Sequence, residues 1–160
     1  MKQRKLLGYI FEVAWILPSI AIPIAFLVAI TLTAFAIGIA VPGASGRIDP
    51  KAINTTPPFD KPGVRELAPG RYEVAVVAQT FLFDPKEIRV PVGATVTFVV
   101  TSRDVVHGFK INGTPVNMMV VPGQISRMTA TFDRPGEYLL VCHEYCGGGH
   151  HVMAGKVIVG

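Results

Sequence analysis

The longest pattern along the chain is an absence of charge. Residues 13–46 carry none, and Val13–Val41 is almost wholly apolar. About 20 apolar residues suffice to cross a bilayer. The 29 residues of this stretch, run as a helix at ~1.5 Å per residue, reach roughly 43 Å. They predict a transmembrane helix over 13–41. The run is about twice the ~7–15-residue apolar core of a cleaved signal peptide, so a retained anchor is expected. Pro18 and Pro23 fall in its first half, which a membrane helix tolerates. Lys2, Arg4 and Lys5 precede it. By the positive-inside rule, 1–12 is then a cytoplasmic N-terminal tail, and everything after Val41 lies outside. Glu12 stands at the start of the span, where a carboxylate is costly unless it meets water or a partner. On position alone it reads as an interfacial residue facing headgroups.

Beyond the span the pattern changes twice. Residues 42–70 hold six Pro and four Gly. Pro57–Pro58 and Pro62–Gly63 exclude long helices and central strands, so a Pro/Gly-rich linker is expected, an extended tether with turns. From Arg71 a two-residue period takes over. Met128, Ala130 and Phe132 alternate with Arg127, Thr129 and Thr131, and Val96, Phe98 and Val100 alternate with threonines. Residues 74–78 are apolar on both faces. Tyr138–Cys142 and Lys156–Val159 read as further short strands. Val92–Gly93, Asn112–Gly113, Pro122–Gly123 and Pro135–Gly136 mark turns between them. This spacing predicts an all-β sandwich or barrel over 71–160.

Composition narrows the class. The chain of 160 residues is 50% hydrophobic and 16% charged, against roughly 25% charged for an ordinary soluble protein; disorder is excluded. The net charge of +4 is scattered without a basic stripe, so no nucleic-acid partner is expected. All four histidines and both cysteines lie after residue 106, and the candidate chemistry is concentrated there.

The end of the strand Tyr138–Cys142 opens into Cys142-His143-Glu144-Tyr145-Cys146-Gly147-Gly148-Gly149-His150-His151-Val152-Met153. Glycines 147–149 free the backbone to wrap closely around a group. A Cys142–Cys146 disulfide is one reading, in an oxidising compartment. It leaves the histidine and methionine at their intervals unexplained, and so short a separation must bend to meet disulfide geometry. Thiolate plus thioether is a soft donor set that favours copper. Zinc competes through two Cys and two His, but does not call for Met153. A further imidazole is needed, and His107, following the strand Thr95–Ser102, is the one histidine outside the last loop. His143 reads as a surface residue and His151 as a neighbour of the ligand, since ligating histidines need fixed orientation. Met118 and Met119 read as core filler or interface residues.

Cys142-x-Glu144-x-Cys146-Gly147-x-x-His150-x-x-Met153, with upstream Asp104-Val105-x-His107-Gly108-Phe109, resembles the dinuclear copper (CuA) domain of cytochrome c oxidase subunit II. Pro135-Gly136-Glu137-Tyr138 and Gly155-Lys156-Val157-Ile158-Val159 are similar to strands of the same cupredoxin family. The single anchor and Arg47-Ile48-Asp49-Pro50 resemble the B-type oxidases. The resemblance implies a cupredoxin-like Greek-key sandwich or barrel over 71–160, carrying CuA. Cys142 and Cys146 then bridge two coppers, His107 and His150 each supply a ring nitrogen, and Met153 sulfur and the Glu144 backbone carbonyl are weak ligands. Residues 79–83, Gln-Thr-Phe-Leu-Phe, contain no Trp, and Phe81 takes the electron-entry position. Tyr9–Trp15 resembles the start of the B-type helix, which makes Glu12 the cytoplasmic entry of a proton pathway into subunit I.

The implied function is subunit II of a haem–copper terminal oxidase in a prokaryotic plasma membrane, single-pass and in contact with membrane lipid. Its donor is cytochrome c or a small copper protein, and its acceptor a low-spin haem in subunit I, where oxygen is reduced to water. The copper-bearing subunit of a nitric oxide reductase and a membrane-anchored mononuclear copper carrier are the alternatives.

Overall fold

The computed structural model describes residues 2–37 and 43–160, which fall into a helical unit and a β unit. The helical unit is one helix, α1, Lys2–Ile37. It begins at Lys2, not at Val13, so the segment expected as a separate tail is the first part of the helix. Lys, Gln, Arg and Leu in that segment are good helix formers, and no proline or cap residue interrupts them. Residues 38–41 of the expected span and residue 42 of the expected linker lie outside the described residues. The helix is long and apolar enough to cross a membrane. Its large side chains stay exposed, Trp15 at 79% and Phe35 at 83%. Hydroxyls of Ser19, Thr31 and Thr33 donate to the carbonyls of Trp15, Leu27 and Ala29, which leaves them satisfied where water is absent.

The β unit is a sandwich of two five-stranded sheets. The first holds β1 (Gly63–Ala68), β2 (Arg71–Gln79), β5 (Ala94–Ser102) and β8 (Ser126–Phe132) in that order, with β3 (Leu82–Asp84) paired to β2. The second runs β4 (Glu87–Val90), β10 (Ala154–Val159), β9 (Gly136–Val141), β6 (His107–Ile111), β7 (Asn117–Val120). The pairs β2/β5 and β4/β10 are parallel and therefore need crossovers. β3 and β4 supply the first of these. Both sheets are open, so the architecture is a sandwich and the barrel alternative is set aside. Val74, Val76, Phe98, Phe109, Ile111, Phe132 and Leu140 fill the space between the sheets. Phe83 meets Phe109 edge-on at 5.6 Å between ring centroids, and Phe132 meets Tyr138 at 5.3 Å, near the favoured geometry for aromatic pairs.

The described part of the expected linker, residues 43–70, is no loose tether. It contains β1, and residues 47–60 lie as a strap across the outer face of the first sheet. Ile48, Ile53 and Phe59 are buried there against Ala75, Val77 and Val99. This covering explains why residues 74–78 are apolar on both faces: each face of β2 meets a core. Ile48 N–H donates to the Gly123 carbonyl at 3.2 Å, and Arg103 donates to Asn54 Oδ1 at 2.8 Å. Both bonds tie the strap to loops of the sandwich. Phe59→Ala is expected to cost about 3–5 kcal/mol in chemical denaturation of the full chain, since it opens a cavity under a side chain only 1% exposed. A loss below ~0.5 kcal/mol, the scale of ordinary surface substitutions, would return the strap to a tether.

Candidate metal centre

Three neighbouring strands of the second sheet, β10, β9 and β6, deliver the candidate donors to one end of the sandwich. Lys110 pairs with Val141, and Val141 with Ala154. The start of β6, the end of β9 and the start of β10 are therefore adjacent. His107 opens β6, Cys142 follows β9, and Met153 precedes β10. Between them the loop closes on itself. Cys142 N–H donates to the Met153 carbonyl at 3.3 Å and Met153 N–H to the His150 carbonyl at 3.1 Å, around a short 3-10 turn at His150–Val152.

The donor atoms form one linked cluster. His107 Nδ1 lies 3.8 Å from Cys142 Sγ, which lies 3.9 Å from Cys146 Sγ, which lies 3.6 Å from His150 Nδ1. The Glu144 carbonyl oxygen is 3.2 Å from Cys142 Sγ, and Met153 Sδ is 3.6 Å from Cys146 Sγ. Both cysteines are free thiols, not the disulfide pair. His107 is fully buried and Met153 nearly so. A metal at ~2.3 Å from sulfur and ~2.0 Å from imidazole nitrogen bridges atoms up to about 4.3 Å apart, and the His107–Cys142 and Cys146–His150 separations fall within that reach. The residues present fit a soft metal. Burial pushes the Cys146 thiol up to about 11, reinforced by hydrogen bonding and charge interaction with Cys142. Metal uptake therefore displaces protons and is favoured by rising pH.

Other positions resolve as follows. Phe81 sits in the turn between β2 and β3, partly exposed, with its ring on the glycine run. A Cβ at Gly149 would lie 2.5 Å from that ring, and one at Gly147, where φ is +125°, 3.1 Å. These glycines are needed for the aromatic cover as much as for the loop's own path. Glu12 is an exposed residue of α1 and is not among the residues gathered here. His143 lies partly exposed with its ring over Gly108, and its Nδ1 is 3.4 Å from Glu144 Oε1. His151 is exposed, Met118 is buried on β7, and Met119 is 42% exposed.

Sequence reasoning passed over three participants. Gly108 N–H donates to Cys142 Sγ at 3.4 Å. Tyr145, 80% exposed, meets the His150 ring at 5.9 Å between centroids. Asp104 accepts from His107 Nε2 at 2.8 Å. Its place three residues before the histidine was the available signal for that contact. Partial burial pushes the Asp104 carboxyl up, but hydrogen bonds from His107, Thr80 and Val105 outweigh it and hold the group at about 2.

Two thiols, two imidazoles, a thioether and a carbonyl at one end of a β-sandwich make this a soft-metal domain of the cupredoxin type. Residues 69–159, more than half of the chain, match the family model of the cytochrome c oxidase subunit II periplasmic domain. Cytochrome c oxidase subunit 2 of Thermus thermophilus is 39% identical over 153 residues, which is 93% of this chain and 91% of that protein. A chain in the solved structure of a heme-copper terminal oxidase dimer is 35% identical with a TM-score of 0.71, over 93% of this chain and 99% of that one. The periplasmic domain of subunit II of the Bradyrhizobium japonicum cytochrome oxidase has the same fold. It is 19% identical with a TM-score of 0.52, over 55% of this chain and 83% of its own.

The chain belongs to the cytochrome c oxidase subunit II family. It is the electron-transferring second subunit of a haem–copper terminal oxidase, an oxidoreductase complex, with a membrane anchor and a copper-binding domain outside the membrane. The reductase and free-carrier alternatives are not favoured.

Gly108 yields a test of the packing around this end. A Cβ there would lie 2.5 Å from the His143 ring and 2.6 Å from the His143 backbone nitrogen, and backbone cannot swing aside. Gly108→Ala is expected to destabilise the metal-free full chain by about 1–3 kcal/mol, read by denaturant titration. Wild-type stability would mean that the loop yields freely.

Proposed function

We propose that the copper in this domain is the dinuclear CuA centre, and that the six residues of the cluster hold it. The observation that carries the reading is the paired arrangement: each sulfur has one nitrogen and one weaker donor close beside it. His107, Cys142 and Cys146 bring donor atoms within 4.8 Å of one another, and His150 Nδ1 and Met153 Sδ each lie 3.6 Å from Cys146 Sγ. A single tetrahedral ion uses four donors; this set offers six in two halves. When bound, a copper pair would supply one-electron storage shared over two metals. The chain's own residues would do the rest. Cys142 and Cys146 would hold it as thiolates and offset most of the metal charge. His107 and His150 would each give a ring nitrogen, Met153 and the Glu144 carbonyl would be the weaker donors, and the three strands would keep all six in place as charge changes.

Electrons enter from cytochrome c or a small copper protein over the edge where Phe81 covers the loop, one at a time, and leave to the low-spin haem of subunit I. Lys2, Arg4 and Lys5 keep the N-terminus of α1 cytoplasmic in a prokaryotic plasma membrane, with lipid around the helix and the β unit on the outer side. Glu12 then stands at the cytoplasmic end of the span, where a carboxylate beside a partner helix bundle collects protons for subunit I.

The test is metal content together with electron spin resonance on the copper-loaded full chain. Two coppers per chain and a seven-line hyperfine pattern are expected, because one electron shared equally couples to two nuclei. One copper with four lines would identify a mononuclear site. In the same assay His150→Ala is expected to abolish the dinuclear pattern and His151→Ala to leave it intact; the reverse would shift the motif by one residue. In the assembled oxidase, Glu12→Gln is expected to leave the copper spectrum and haem reduction unchanged and to slow oxygen turnover. Unchanged turnover would return Glu12 to the headgroup interface.

A further inference from the structure

One carboxylate touches both the buried histidine of the donor cluster and the turn that covers the site. Asp104 Oδ1 accepts from His107 Nε2 at 2.8 Å and from Val105 N–H at 2.7 Å, with Ser102 Oγ at 3.4 Å. Asp104 Oδ2 accepts from Thr80 N–H at 2.7 Å and from Thr80 Oγ1 at 2.8 Å. The two oxygens thus serve different strands of different sheets. Oδ1 faces β6 and its histidine, and Oδ2 faces the end of β2, one residue before Phe81. The His107 side chain has no exposed surface, while that of Asp104 keeps 31%. The carboxylate therefore reaches from the solvent edge to a fully buried ring.

We propose that Asp104 is a positioning residue that fixes the tautomer and plane of His107 and clamps the Thr80–Phe81 turn to the same point. The inference rests on His107 being a metal ligand. A neutral imidazole has one N–H. Donation from Nε2 to Asp104 places the proton there and leaves the Nδ1 lone pair facing Cys142 Sγ, 3.8 Å away. A carboxylate behind a ligating histidine orients the ring and raises its basicity. Here the same carboxylate also holds the turn whose aromatic ring lies over Gly147 and Gly149. The ligand and the cover of the site are thereby referenced to one group. Charge-assisted hydrogen bonds of this kind are about twice as strong as neutral ones. Asn at this position keeps the shape but loses the charge, and its amide nitrogen cannot accept from Thr80.

The tautomer is read without metal. In the metal-free full chain in detergent micelles, labelled with 15N-histidine, His107 is expected as a single Nε2–H form, and D104N is expected to give a mixture. Thr80 amide hydrogen exchange is expected to speed up about tenfold or more in D104N, the scale of one lost hydrogen bond to a charged group. In the copper-loaded chain D104N is expected to lose about 10–100-fold in copper affinity and to shift the reduction potential, which a purely structural turn residue would not do. Thr80→Val, which keeps the N–H and the shape, is expected to give a smaller affinity loss that does not add to that of D104N, because both act through one clamp. An unchanged His107 tautomer in D104N, or copper affinity within about twofold of wild type, would overturn the proposal. H107A separates this from the ligand assignment. If H107A keeps the full copper spectrum, the ligand reading fails. If H107A loses it while D104N keeps it, only the clamp fails.

Discussion

The two sulfurs 3.9 Å apart are the constraint from which the rest of the β unit follows. Thiols four residues apart on a loop do not stay at such a distance through their own preferences. Here the backbone sets it. Cys142 is pinned to the end of β9 by its N–H on the Met153 carbonyl, and Cys146 is returned beside it by the turn that ends at Met153. Because β9 lies between β6 and β10, one pinned cysteine automatically has His107 on one side and Met153 on the other. Burial makes the Cys146 thiol reluctant to ionise, so a metal that binds there displaces its proton.

A centre that gains and loses an electron works fastest when few atoms move. The scaffold meets that need in layers. The edge-on aromatic rings between the sheets pack the core under β6, and the strap at 47–60 closes the far face of the first sheet. The rings share one buried core with Cys142, Cys146 and Met153, the strap backs the opposite sheet, and a close-packed interior of this kind has low compressibility. The hydrogen bond from Gly108 N–H to Cys142 Sγ adds a fixed dipole at one sulfur. At the rim Phe81, Tyr145 and Val152 present exposed apolar surface close to the ligands, suited to brief contact with a donor.

The apolar run, the strand alternation and the Cys/His/Met spacing made the anchor, the all-β unit and the donor set legible from the amino-acid sequence, because each is a local pattern. Contacts between distant segments were not legible. The strap looked like a tether because proline and glycine dominate it, although Ile48, Ile53 and Phe59 and the doubly apolar residues 74–78 were complementary signals. The helix extends beyond the charge-free run because charge does not decide where a helix begins: Lys2–Glu12 carries three basic residues and is helical all the same. The open sandwich could not be told from a barrel, since closure depends on strand order. The link from Thr80 through Asp104 to His107 joins residues 24 and 3 positions apart, and only the crossed strand order brings them together.

These features describe a subunit with a membrane helix and a β unit that offers a rigid, paired-sulfur port for electrons. The claim that both sulfurs serve two metals at once is tested most directly by copper-edge X-ray absorption on the loaded full chain. The account predicts that every copper has a sulfur shell at ~2.3 Å, the distance of a metal–thiolate bond, and a second copper as a near neighbour. Coppers with a sulfur and nitrogen shell and no metal neighbour would contradict it.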